Sequence, residues 1–194
     1  MHGEIRLGGW RRFTAEEVIS WGAGMIWRAR IRMGWKSITG SDSFLHGHGL
    51  TQWKLFGLLP FFNASGPDID RSAAGRVNIE SLWLPSVLCR EGVQWSAESD
   101  SHLHAAFNAH GADADIDLCI YEGGGLRSFQ MPRWGNPEGG EFRALPFGGL
   151  VVEEANFDGY TVPVRARIGW NPGTSEFDRG GEFFRATLDS IQYR

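Results

Sequence analysis

A chain that alternates apolar and polar residues over most of its length, and breaks that rhythm once, can fold into few things. The break runs from Asp68 to Leu88, where Ala73, Val77, Glu80, Leu84 and Val87 recur at steps of four and three. That spacing puts them on one stripe of a helix. Nearly everything else reads with a period of two, and no strand–helix–strand unit repeats, which points to an antiparallel meander. The expected architecture is mainly β (α+β): one domain over residues 1–194, a curved antiparallel sheet or half-open β-barrel wrapped around one central helix at about 68–88. A closed barrel or a two-layer roll would use the same segments, because periodicity does not report closure.

The strand reading is cleanest where Met25, Trp27, Ala29, Ile31 and Met33 share one face and Arg28, Arg30 and Arg32 the other. Glu4 to Leu7 precedes it as a strand. Between the two, Thr14 with Glu17 three residues on has capping-box spacing and predicts a short helix or turn at Phe13–Glu17. A hairpin is expected from Ile38–Leu45 and Leu50–Leu59 around His46-Gly47-His48-Gly49. Later strands are expected at Val93–Glu98, His102–Ala109, Asp113–Tyr121 and Leu126–Met131. Asp158-Gly159 marks a hairpin between Leu150–Phe157 and Tyr160–Trp170, and a last strand covers Glu182–Gln192. Pro132 to Gly149, rich in Gly and Pro, is expected as a long loop that folds over a cavity mouth as a lid.

Composition excludes several classes. With 42% hydrophobic and 22% charged residues the chain is globular, and its net charge of −4 with scattered acids argues against a nucleic-acid surface. The longest apolar run, Leu55 to Phe62, is broken by Gly57 and Pro60 and is far short of the roughly 20 residues of a membrane span. Cys89 and Cys119 lack metal-ligand spacing and are read as buried thiols; no cleavable leader precedes the first strand, so a cytoplasmic location is expected. The aromatic share is 13%, including nine tryptophans. Such rings either fill the space beneath a curved sheet or line a cavity for an apolar guest.

Candidate chemistry centres on Glu80. Its stripe position turns it toward the sheet, and burial raises a carboxyl toward the range useful for proton transfer. Arg76 stands one turn earlier, so an intrahelical Arg76–Glu80 pair is the competing reading. Pro85 is expected to kink or end the helix after Trp83. Asp42 shares parity with Ile38 and Phe44 and faces Glu80 as a second acid or base, unless a one-residue slip turns it outward. His48 is the third acid–base candidate; with His46 it flanks Gly47, but no third ligand is placed, and the pair also reads as an exposed turn, so no metal is expected. Arg133 offers a planar fork for a carboxylate or enolate. Substrate-binding candidates are therefore Trp27, Trp53, Arg76, Trp83, Arg133, Trp134 and Tyr160. No nucleophile-elbow or metalloprotease motif is present, and no cofactor is expected.

The run of Gly3-Glu4-Ile5-Arg6, Trp10 with Phe13-Thr14-Ala15, Met25-Ile26-Trp27-Arg28-Ala29, Gly40 with Asp42, Gly47-His48-Gly49, Glu80-Ser81-Leu82-Trp83-Leu84-Pro85 and Trp170 resembles a bacterial family of unknown function. The segment order is also similar to the lipoprotein-carrier half-barrel superfamily, whose members cradle a hydrophobic guest and include a cofactor-free enzyme of pigment biosynthesis. That resemblance implies a lipid-sized cavity. The expected function is binding of a bulky hydrophobic small molecule by a monomer or homodimer, as a cofactor-independent acid–base enzyme (cyclisation, isomerisation or elimination). The alternative is a non-catalytic carrier of a hydrophobic ligand or lipid.

Overall fold

Two meanders, zipped together through the first and last strands, make the sheet in a computed structural model that describes residues 1–194. The first comprises β1 (His2–Arg6), β2 (Trp10–Ser20), β3 (Gly24–Met33), β4 (Lys36–Leu45), β5 (His48–Leu55) and β6 (Leu59–Ser65). The second comprises β7 (Gln94–Ser99), β8 (His102–Ala109), β9 (Ala112–Ile120), β10 (Leu126–Gly135), β11 (Arg143–Phe157), β12 (Tyr160–Trp170) and β13 (Glu182–Thr187). All 13 strands form one antiparallel sheet in which β1 pairs with β13 and β6 and β7 are the free edges. The sheet is curved and does not close.

The segment between the two edges must cross from one to the other, and it does so as helix α1 (Pro67–Ile79), a 3₁₀ turn (Glu80–Trp83) and the short α2 (Pro85–Leu88). Pro67 occupies the first turn, where its missing N–H has no helical partner to lose. The long helix stops at Ile79 because Leu84 precedes a proline, which disfavours α geometry; Leu84 N–H closes a tighter turn on Ser81 O at 2.9 Å. Trp83 is fixed there by its indole N–H, which donates to Pro163 O at 2.8 Å.

Each meander builds a core against one side of this segment. Ala74 and Val77 join Phe13, Met25, Trp27, Ile31 and Phe44, whereas Ile79 and Leu82 join Ile116, Leu118, Phe129, Met131 and Phe147. The arginines of β3 are exposed on the outer face, as its alternation predicts.

Several expectations are corrected. Phe13–Glu17 is strand, not helix: β2 pairs with β3 from Phe13↔Ile31 to Ser20↔Gly24, and that ladder overrides the local capping signal. Pro132–Gly149 is not a lid. Strands β10 and β11 run through it, leaving only residues 136–142 as a connection. The prolines are tolerated because Pro132 stands opposite Pro146, while the next ladders stop at Gln130 on one side and start at Phe147 on the other. The strand expected through Leu59 turns earlier, at Phe56 and Gly57, which both adopt positive φ. The last strand ends at Thr187, and Cys89 is exposed rather than buried.

Candidate functional site

The register of the first meander lines up Glu17 of β2, Trp27 of β3, Asp42 of β4 and Thr51 of β5 as one cross-strand row on the inner face. Arg76 descends onto this row from α1. Its Nη2 donates to Glu17 Oε1 at 2.7 Å, its Nε to Glu80 Oε1 at 2.7 Å and its Nη1 to Asp42 Oδ2 at 3.5 Å. The guanidinium lies 5.4 Å from the Trp27 ring, a cation–π distance. The other Asp42 and Glu80 oxygens, Oδ1 and Oε2, and the Trp27 indole N–H are buried without a partner.

Three carboxyl groups around one guanidinium make an unequal electrostatic match. Burial, then the neighbouring Glu80 charge, pushes the Glu17 carboxyl up to about 8, against the pull of Arg76. Burial alone would lower Arg76, but Glu80, Glu17 and Asp42 together hold it above its ordinary value.

A second guanidinium approaches from the other meander. Arg133 Nε donates to Ser72 O at 3.0 Å and Nη2 to Ser72 Oγ at 3.4 Å, with the group 4.4 Å from the Phe147 ring and 5.8 Å from Trp170. Its stem crosses α1 over Gly75, where a Cβ would meet Arg133 Cγ at 3.2 Å. No carboxylate pairs with it, and burial followed by the charge of Arg76 lowers it to about 10.

Beneath α1 the inner face of the middle strands carries rings. Phe13 stacks on Phe184 at 4.8 Å, Phe184 meets Trp27 at 5.9 Å and Phe147 meets Trp170 at 5.2 Å. Phe184 and Trp170 are only half-buried, and each packs against the margin of one of the two cores that α1 and the turn after it complete.

Of the candidates read from the sequence, Glu80, Asp42 and Trp27 meet around Arg76, with Asp42 facing inward, whereas Arg133 contacts Ser72, Phe147 and Trp170. Trp53 packs edge-on against Trp27 at 5.8 Å. His48 is not part of the cluster; it is exposed on the β4–β5 turn, 3.7 Å from Asp70. Trp83 serves the helix turn, Trp134 donates to Asp68 at 2.8 Å beneath Arg71, and Tyr160 packs on Tyr193 at the far hairpin. Glu17, Phe147 and Phe184 were missed. For Glu17 the signal was present: Phe13, Ala15, Glu17 and Ile19 share parity once β2 is read with a period of two. A separate cavity of about 440 Å³ lies by α2, between Trp21, Val87, Val93 and Phe107.

The chain belongs to the Family of unknown function (DUF6920), whose model matches residues 1–193. No curated protein and no solved structure matches it.

Proposed function

We propose that the ring-lined inner face beneath α1 binds an apolar small molecule with an anionic head, a carboxylate or enolate, and that the carboxyl groups around Arg76 exchange protons with it. On this reading the protein is a cofactor-independent acid–base enzyme of the cyclase, isomerase or lyase kind. The observation that carries it is Arg133, a desolvated guanidinium lying over two aromatic rings with only Ser72 as hydrogen-bond partner. A planar anion would complete its fork, and the rings of Phe147, Trp170 and Phe184 suit an apolar body. Glu17, whose carboxyl is raised to about 8, and the unpartnered oxygens of Asp42 and Glu80 offer a donor and acceptors on the same inner face.

A carrier is the second reading, favoured by the fact that all three carboxyl groups also engage Arg76. Two measurements separate the readings. Dansyl-undecanoic acid should bind the protein, and Arg133→Met should weaken it by about tenfold or more; no binding by the wild type would end both readings. With 4-oxododecanoic acid in D₂O, exchange of the protons beside the ketone above the buffer rate, lost in Glu17→Gln and Glu80→Gln with binding retained, is the result expected of the enzyme. Binding without exchange in the wild type would assign the carrier. Native mass spectrometry of protein taken from its own host would then identify the guest class.

A further inference from the structure

One end of the sheet presents apolar side chains that the fold does not cover. The β3–β4 and β5–β6 turns lie side by side there: Trp35 stacks on Phe56 at 5.7 Å, Phe56 N–H donates to Ser37 O at 2.8 Å, and Lys36 Nζ stands 5.1 Å from the Trp35 ring. Trp35 is 82% and Leu58 80% exposed, and Leu59, Phe61 and Phe62 are more than half exposed. An exposed patch of this kind marks a surface that meets something apolar.

Charge identifies the partner. Through residue 65 the chain has eight basic and four acidic side chains, whereas residues 66–194 have 11 basic and 19 acidic. Two of those four acids, Glu17 and Asp42, are turned inward to Arg76. On the outer face, Arg28 and Arg30 of β3 and Lys54 of β5, with Glu16 of β2 as the one acid among them, line a groove of about 750 Å³ that reaches Gly57 in the β5–β6 turn. Arg32 and Lys36 flank the apolar turn itself. A net basic surface thus adjoins the rings on a protein whose remaining residues are net acidic.

We propose that this end of the sheet is a docking surface for an anionic lipid bilayer. Trp35, Phe56, Leu58 and Phe61 enter the headgroup region while Lys36 and Lys54 meet lipid phosphates. Trp is the side chain that best occupies that boundary, and basic residues beside an apolar tip add attraction to anionic lipid. A second copy of the chain fits this surface poorly. An isologous contact would bring two surfaces of the same net basic charge together, and the free edge of β6 is blunted by Pro60 and by a bulge at Phe61.

Co-sedimentation with vesicles tests this. The full chain should bind vesicles of equal parts phosphatidylcholine and phosphatidylglycerol at least about tenfold more tightly than phosphatidylcholine alone, and added salt should weaken the binding. Trp35→Ser with Leu58→Ser should lower binding about tenfold, and Lys36→Glu with Lys54→Glu should abolish the lipid preference. All four positions are exposed, so unchanged thermal melts establish that the fold is intact, and dansyl-undecanoic acid binding should not change. The proposal is overturned if the wild type stays in the supernatant with anionic vesicles, or if both variants sediment like it. A dimer in sedimentation equilibrium that Trp35→Ser dissociates would also overturn it, assigning the surface to a second copy.

Discussion

Arg76 and Glu17 form a 2.7 Å ion pair that joins α1 to β2, yet the pair does not keep the carboxyl in its ordinary range. The reason is number: Arg76 also serves Glu80 and Asp42, and burial withholds the water that would stabilise a third negative charge. While Glu17 holds its proton, the Arg76 guanidinium is left with the two remaining carboxyl groups, Asp42 and Glu80. The cluster therefore contains a carboxyl group raised to about 8 where α1 meets the inner face of the sheet.

The first consequence concerns pH. The folded-state value of Glu17, about 8, lies above its ordinary 4.5, so the folded protein binds more protons than the unfolded chain between those values. This contribution is fully present below about pH 4.5 and is lost as pH rises through 8. Urea unfolding should show stability falling across that window by on the order of a few kcal/mol, and Glu17→Gln should remove the fall and be the more stable protein near pH 9. Parallel profiles for the two proteins would refute the raised carboxyl.

Arg76→Met should destabilise strongly, by about 3–5 kcal/mol, since it leaves three inward carboxyl groups without a cation. The loss should shrink when Glu17→Gln is added, because the two side chains share one interaction. Additive losses in this double-mutant cycle would mean that the pair is not coupled.

Gly40 stands two residues before Asp42 because nothing larger fits. A Cβ there would lie 2.3 Å from Gln52 O and 2.5 Å from the Trp53 ring. Gly40→Ala should cost about 1–3 kcal/mol or more and shift tryptophan fluorescence as Trp53 leaves Trp27. Gly22→Ala, with open space around it, should change stability little. Equal melting temperatures for the two variants would contradict this packing.

Much of the site was legible because strand parity is a strict rule. Strand parity groups Met25, Trp27 and Ile31 on one face and Asp42 with Ile38 and Phe44 on another, and the β3–β4 register resolves the open choice for Asp42 toward the inner surface. The helix stripe then aimed Glu80 at that surface. What failed were local signals that tertiary pairing overrode. The Thr14–Glu17 spacing copies a helix cap but belongs to β2, which hid Glu17. Pro132 and Pro146 copy a loop but stand opposite each other where no further ladder needs their N–H, which hid the strand position of Arg133. That β1 and β13 join the meanders, and that Phe184 thereby reaches Phe13, is a contact across the whole chain to which periodicity is blind.

A second buried carboxylate behaves in the opposite way and so tests the electrostatic reasoning from the other side. Glu182, at the start of β13, accepts from Arg167 Nη2 at 2.7 Å and from Arg185 Nε at 2.6 Å. Burial alone would raise it, but the hydrogen bonds and charges of the two arginines lower it to about 2. Because this value is depressed, its contribution is present above about pH 4.5 and is lost as pH falls through 2. The arginines are about a third or more exposed, so solvent screens part of the effect. Glu182→Gln should cost about 1–3 kcal/mol near neutral pH and flatten the acid limb of the stability profile while leaving the limb governed by Glu17 unchanged. If both substitutions altered the same limb, the assignment of one proton-rich and one proton-poor carboxyl group to these two sites would fail.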